Sequence, residues 1–256
     1  MVYQTYDFLL QAPVSINLLC FVFFSTIASY SFHWGLTMDS VIPSPRISWL
    51  KKNRGLYLVL FIIGIIGSAV FFFYLLSWWP WLLLSALITF LYSAPKIPHR
   101  YFRALRKVAL GKTIFLSFVW MYVTTILPIL VSGQDWKNEF FLFIGSRFFL
   151  IYAICILFDY RDRADDKKAG IRSLITFLNE RGIGYLFVFS LLVFTACTVL
   201  LLKYDYRVVD VIILLIPGII TAGLYNYARK NFSDTFYYFV LDGLMAFSAM
   251  LMLIPW

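Results

Sequence analysis

Phe148-Phe-Leu-Ile-Tyr-Ala-Ile-Cys-Ile-Leu-Phe158 runs without a break into Asp159-Tyr-Arg-Asp162-Arg-Ala-Asp165-Asp166-Lys-Lys168-Ala-Gly170-Ile-Arg-Ser-Leu174. The first half is wholly apolar apart from one tyrosine and reads as the end of a membrane span. The second half carries Asp159, Asp162 and Asp166 at i, i+3 and i+7. If the helix continues past Phe158, that spacing stacks the three carboxylates inside an arc of about 60°. Carboxylates gathered on one face repel one another unless a cation joins them. Hard oxygen ligands of this kind suit Mg²⁺, which takes one or two carboxylates and completes its shell with water and phosphate oxygens. A solvated loop of mixed charge at a membrane surface has the same composition, so spacing alone leaves both readings open.

Working outward, the rest of the chain is as apolar as the run before Asp159. Of its 256 residues 62% are hydrophobic and 14% charged, against about 25% charged in globular domains. A soluble core cannot absorb that composition, and the chain reads as an all-α, polytopic membrane protein forming a single domain over residues 1–256. Eight apolar spans are expected, at about 14–36, 56–76, 79–94, 110–131, 139–158, 183–202, 208–227 and 236–255, each near the length needed to cross a bilayer. The third is short, with a tight turn expected at Pro80 among Trp78, Trp79 and Trp81.

The net charge of +9 does not point to nucleic acid, because of where the charge lies. Eighteen of the 22 Lys and Arg residues fall in the loops 37–55, 95–112, 159–182 and 228–235, while the alternate loops hold only Lys137, Lys203 and Arg207. By the positive-inside rule the basic loops are cytoplasmic and both termini lie on the other side. Cys20, Cys155 and Cys197 all fall in apolar segments and read as small hydrophobes. No signal peptide is expected, since the first residues lack a basic stretch.

The stretch from Asp159 resembles the second aspartate-rich motif of the UbiA family of intramembrane prenyltransferases, D-x-x-D-x-x-x-D followed by a basic-Ala-Gly element. Here that tail is Lys168-Ala169-Gly170, then Ser173-Leu174. A second block agrees: Leu91-Tyr92-Ser93-Ala94-Pro95 and the basic loop after it resemble the family's Tyr-Ser-x-Pro segment, with Arg100 nearest to its following lysine.

The resemblance implies a helical bundle, typically of nine spans. It implies a Mg²⁺-dependent transfer of a prenyl group from a polyprenyl diphosphate to a lipid-soluble, aromatic acceptor. Asp159, Asp162 and Asp166 would hold the metal, and Arg100, Arg103, Lys168 and Tyr92 would bind substrate. Asp162, Arg100 and His33 would take part in catalysis. The setting implied is a bacterial inner membrane, with the aspartate-rich stretch on the cytoplasmic side and membrane lipid as surroundings.

Two departures weigh against a simple transfer of that function. The family's first motif, N-D-x-x-D-x-x-x-D, falls on a stretch that places His33, Leu36 and Ser40 at the three acidic positions, with Asp39 one place off. Residues 1–13 look like the tail of a helix, so the usual first helix is expected to be missing. An alternative therefore stands beside the enzyme: a catalytically inactive UbiA-like protein that binds a lipid phosphate or a partner protein. A transporter would need broken helices in matching halves. A phospholipid head-group transferase is disfavoured by the flanking Lys168-Ala169-Gly170 and Tyr92-Ser93 blocks and by the absence of the glycine and arginine such a site would place between its acids.

Other polar residues fall inside or beside the spans. Arg147, inside the fifth span, is expected to snorkel to the interface. Asp242, with Tyr225 and Asn226, is expected near the layer of the aspartates, where Asp242 would meet a cation or an arginine. Lys112 is one of the six basic residues of the loop 95–112, which sets topology.

Overall fold

A computed structural model describes residues 1–37, 45–97, 112–168 and 173–254. Among them there is helix and no strand. The apolar spans are α1 (Ile16–Thr37), α2 (Arg54–Tyr74), α3 (Trp79–Ser93), α4 (Lys112–Ser132), α5 (Asn138–Lys168), α6 (Glu180–Leu200), α7 (Val208–Ala228) and α8 (Phe236–Leu251). An apolar helix stands at each of the eight expected positions. Seven helices are long and apolar enough to cross a membrane, and α8 is shorter. Helix is the form such segments must take, because lipid offers no partner for an unpaired N–H or C=O.

The chain divides into two compact units, residues 14–106 and residues 1–13 with 107–256. In the first, α1 packs closely on α2. A Cβ added at Gly64 would stand 2.6 Å from the Ala28 amide nitrogen, and one at Gly67 would stand 2.3 Å from the Phe24 ring. Lipid tails are as apolar as leucine, so helices associate by such close fits and not by hydrophobic expulsion. Elsewhere α2 is open: Leu58, Ile62, Ile66 and Phe73 are exposed, and Gly64 is its buried residue. The turn before α3 spans Leu76–Trp78, just ahead of the position expected. Pro80 lies in the first turn of α3, where its missing N–H costs nothing.

In the second unit α5 is the central helix. Leu150, Ile151, Ala153, Ile154 and Ile156 are fully buried on every side of it, as an all-round apolar helix requires. At 31 residues α5 is about 46 Å long, well beyond the hydrocarbon thickness of about 30 Å. Its last ten residues therefore project past the span, and they are the aspartate-rich stretch. Helix α6 starts on Asn179, whose Oδ1 accepts from the Gly182 amide at 2.8 Å. Where α6 meets α7, Gly218 lies against Phe194, and a Cβ there would stand 2.1 Å from the ring.

Three segments of this unit are π-helical: Thr5–Leu10, Tyr122–Ile126 and Phe236–Leu241. Widening the helix frees carbonyls for other donors. Thr5 Oγ1 donates to the Thr124 carbonyl at 2.8 Å, which joins the first two of these segments.

Arg147 corrects an expectation. It does not snorkel but is 1% exposed. Nη1 donates to Gln4 Oε1 at 3.2 Å and to Ser248 Oγ at 3.1 Å, and the guanidinium lies 5.1 Å from the Phe143 ring centre. Arg147 thus pins the N-terminal segment, α5 and α8 together. It stands nine residues into α5, about 14 Å from its start, too deep to reach water more cheaply than these neighbours.

Candidate functional site

Helix α5 continues through Lys168, so the condition on the carboxylate spacing is met. Asp159 and Asp166, two turns apart, are both buried, at 7% and 8% exposure. Both face Lys112, the first residue of α4. Its Nζ lies 3.6 Å from Asp159 Oδ1 and 3.4 Å from Asp166 Oδ2. The other Asp159 oxygen accepts a hydrogen bond from the Thr113 hydroxyl. Two consecutive residues of α4 therefore hold the acid pair, one by charge and one by orientation.

Asp162 is turned elsewhere. Its Oδ1 accepts from Arg161 Nε at 2.8 Å, and its side chain is 43% exposed. Arg161 itself is nearly enclosed. The rings of Phe158, Tyr237 and Tyr238 lie 5.4, 4.6 and 4.9 Å from its guanidinium carbon. Its Nη2 donates to Tyr238 Oη at 3.0 Å, and Nη1 faces Asp234 at 3.5 Å.

A second ionic group closes the same end of the unit. Glu180, the first residue of α6, receives Arg163 at 2.6 Å, the Tyr160 hydroxyl at 3.1 Å and Arg229. An acid in the first turn also complements the helix dipole. The Arg229 guanidinium lies between the rings of Tyr160 and Tyr225. Lys168 is exposed and pairs with Asp165 at 3.6 Å, one turn back.

In the other unit the His33 imidazole Nδ1 lies 3.1 Å from Ser93 Oγ and the ring stacks on Tyr92 at 5.3 Å. The degenerate first motif and the Tyr-Ser block, sixty residues apart, thus meet directly. Arg100, Arg103, Asp39 and Ser40 lie outside the described residues, as do Ala169 and Gly170.

Among the described residues no three His, Cys, Asp or Glu side chains gather as a metal cage. Asp159 and Asp166 do converge on one cation, and two carboxylates are what Mg²⁺ commonly takes from a protein when phosphate supplies further oxygens. The donor set fits the ion in that limited sense. Sequence reasoning missed Lys112 and Arg161 as members of the site. The available signal for Lys112 was the pair Lys112-Thr113 opening a span, a basic and a hydroxyl group at the same membrane level as Asp159.

The described residues thus form a polytopic, all-helical membrane protein with an acid pair and its counter-cation at the end of a central helix. The family model described as UbiA prenyltransferase family matches residues 35–250, and the chain belongs to that family. The activity of that family is of the prenyltransferase type. The match begins just past His33 and takes in α2 to α7, all but the last residue of α8, and the whole aspartate-rich stretch. No curated protein and no solved structure matches the chain.

Proposed function

We propose that this protein transfers a prenyl group from a polyprenyl diphosphate to a hydrophobic, aromatic acceptor in a bacterial inner membrane, with the acid pair on the cytoplasmic side. The observation that carries this reading is the convergence of Asp159 and Asp166 at the end of the central helix, in a chain of this family. Asp159 and Asp166 would hold Mg²⁺, with Asp162 at the exposed edge of the stretch. When bound, the ion would neutralise charge that develops on the departing diphosphate. Thr113 keeps Asp159 oriented for that task, and Lys112 supplies a further positive charge beside it. Arg100, Arg103, Lys168 and Tyr92 are proposed to bind substrate, and His33 and Asp162 to assist the transfer.

In the transfer the allylic C–O bond breaks with its electron pair on the diphosphate. The acceptor ring forms the new bond to the allylic carbon and then loses a proton. Aromatic faces favour a cation held near them.

The test is turnover by purified protein with labelled polyprenyl diphosphates and Mg²⁺ over a panel of aromatic acceptors. Product that disappears in Asp159→Asn supports the enzyme. Saturable binding of diphosphate with no product under any acceptor supports the second reading, a silent relative. That reading is favoured by His33, Leu36 and Ser40 standing where the first motif has acids.

A further inference from the structure

The acid pair already has a counter-cation that the chain itself supplies. We propose that Lys112 is a tethered counter-cation that competes with a divalent metal for Asp159 and Asp166, so that the pair takes up metal only together with a diphosphate. The inference rests on the prenyl-diphosphate reading for the identity of the diphosphate, but not for the competition.

The argument starts from distances. Charge-assisted N–H···O bonds run at about 2.7–2.9 Å. Lys112 Nζ stands at 3.4 and 3.6 Å from its two carboxylates. Both separations are longer than that, and its side chain is 32% exposed. An ammonium so placed can leave. The carboxylates cannot: both lie on one rigid helix, both are buried, and Asp159 is oriented by Thr113 independently of Lys112.

Metal–oxygen distances for Mg²⁺ are about 2 Å. An ion held by Asp159 and Asp166 would compete for the space that Nζ occupies now. Free metal must therefore expel a covalently tethered cation, whose local concentration is high, and leave it beside a divalent ion of like charge. A diphosphate removes both penalties. It brings oxygens that complete the metal's shell and offers Lys112 a new anion, which a flexible ammonium binds well as a point charge.

Inorganic pyrophosphate and Mn²⁺ are the probes. Purified full-length protein in detergent is dialysed against Mn²⁺ with and without pyrophosphate, and retained Mn²⁺ is read by electron paramagnetic resonance. Wild type is expected to retain Mn²⁺ only when pyrophosphate is present. Lys112→Met should bind Mn²⁺ alone at least tenfold more tightly than wild type. Lys112→Arg, which keeps the charge, should not, and adding Asp166→Asn to Lys112→Met should abolish the gain. Lys112→Gln carries the same expectation as Lys112→Met and replaces it if that variant fails to fold. The proposal is overturned if neither neutral variant binds Mn²⁺ more tightly, if the gain survives loss of Asp166, or if wild type holds Mn²⁺ equally well without pyrophosphate. Absence of prenyl product in every assay, with the Mn²⁺ gain intact, would remove the transferase reading and leave this one standing.

Discussion

Lys112 Nζ lies 3.4 Å from Asp166 Oδ2, joining the start of α4 to the projecting end of α5 across 54 positions of sequence. The contact divides the three aspartates by role. Asp159 and Asp166 share the cation, while Asp162 belongs to Arg161.

That division predicts unequal losses. Asp159→Asn and Asp166→Asn should each lower kcat/KM for prenyl transfer by about 100-fold or more, the scale of losing one preorganised charge contact at a reacting centre. Asp162→Asn should cost about tenfold or less. Steady-state kinetics with one fixed acceptor checks this, and equal losses at all three positions would contradict it.

Arg147 tests the buried polar pin. Its Nε and Nη2 have no partner among the described residues, so it is costly where it stands. Gln4→Leu removes one of its acceptors and should destabilise the fold by about 1–3 kcal/mol. Arg147→Met combined with Gln4→Leu should recover most of that loss, because removing both polar partners avoids leaving one stranded. Unfolding followed by size-exclusion of a fluorescent fusion would read the difference.

Gly218 and Phe194 offer a packing test. Gly218→Ala puts a Cβ into the ring position of Phe194, which is 1% exposed. Overpacking of this kind costs about 1–3 kcal/mol. Phe194→Val should restore part of the stability in the double variant while destabilising alone. Thermal aggregation midpoints of the four proteins would show whether the two positions couple.

Arg161 is predicted to hold the π-helical turn Phe236–Leu241 in place. Arg161→Lys keeps the charge but loses the planar fork that reaches Asp162 and Tyr238 together. Amide exchange in residues 234–241 should accelerate about tenfold or more, with little change in α6. Uniform acceleration across the unit would mean that Arg161 supports the fold as a whole.

Much of this molecule was readable along the chain, and the residues show why. The eight spans stand where their apolar runs placed them, because in lipid each segment must satisfy its own backbone. The continuation of α5 past Phe158 was a condition of the i, i+3, i+7 reading, and the helix meets it by running to Lys168. The fate of single charges was not readable in the same way. Arg147 looked like a snorkelling residue because its sequence neighbours are apolar, yet its partners Gln4 and Ser248 lie 143 and 101 positions away. Lys112 looked like one basic residue among the six of its loop. Whether it met phosphate, lipid or protein depended on the register of α4 against α5.

The sequence therefore determined the spans, the helical class and the spacing of three acids on one face, all of which depend on local hydropathy and helical period. Only the tertiary structure decided that Asp159 and Asp166 share Lys112, that Asp162 turns to a caged Arg161, and that Arg147 is locked inside. In a bilayer the apolar faces of helices are interchangeable, so register is set by small residues and sparse polar contacts. Those contacts are made between residues far apart in the chain, and no local pattern encodes them.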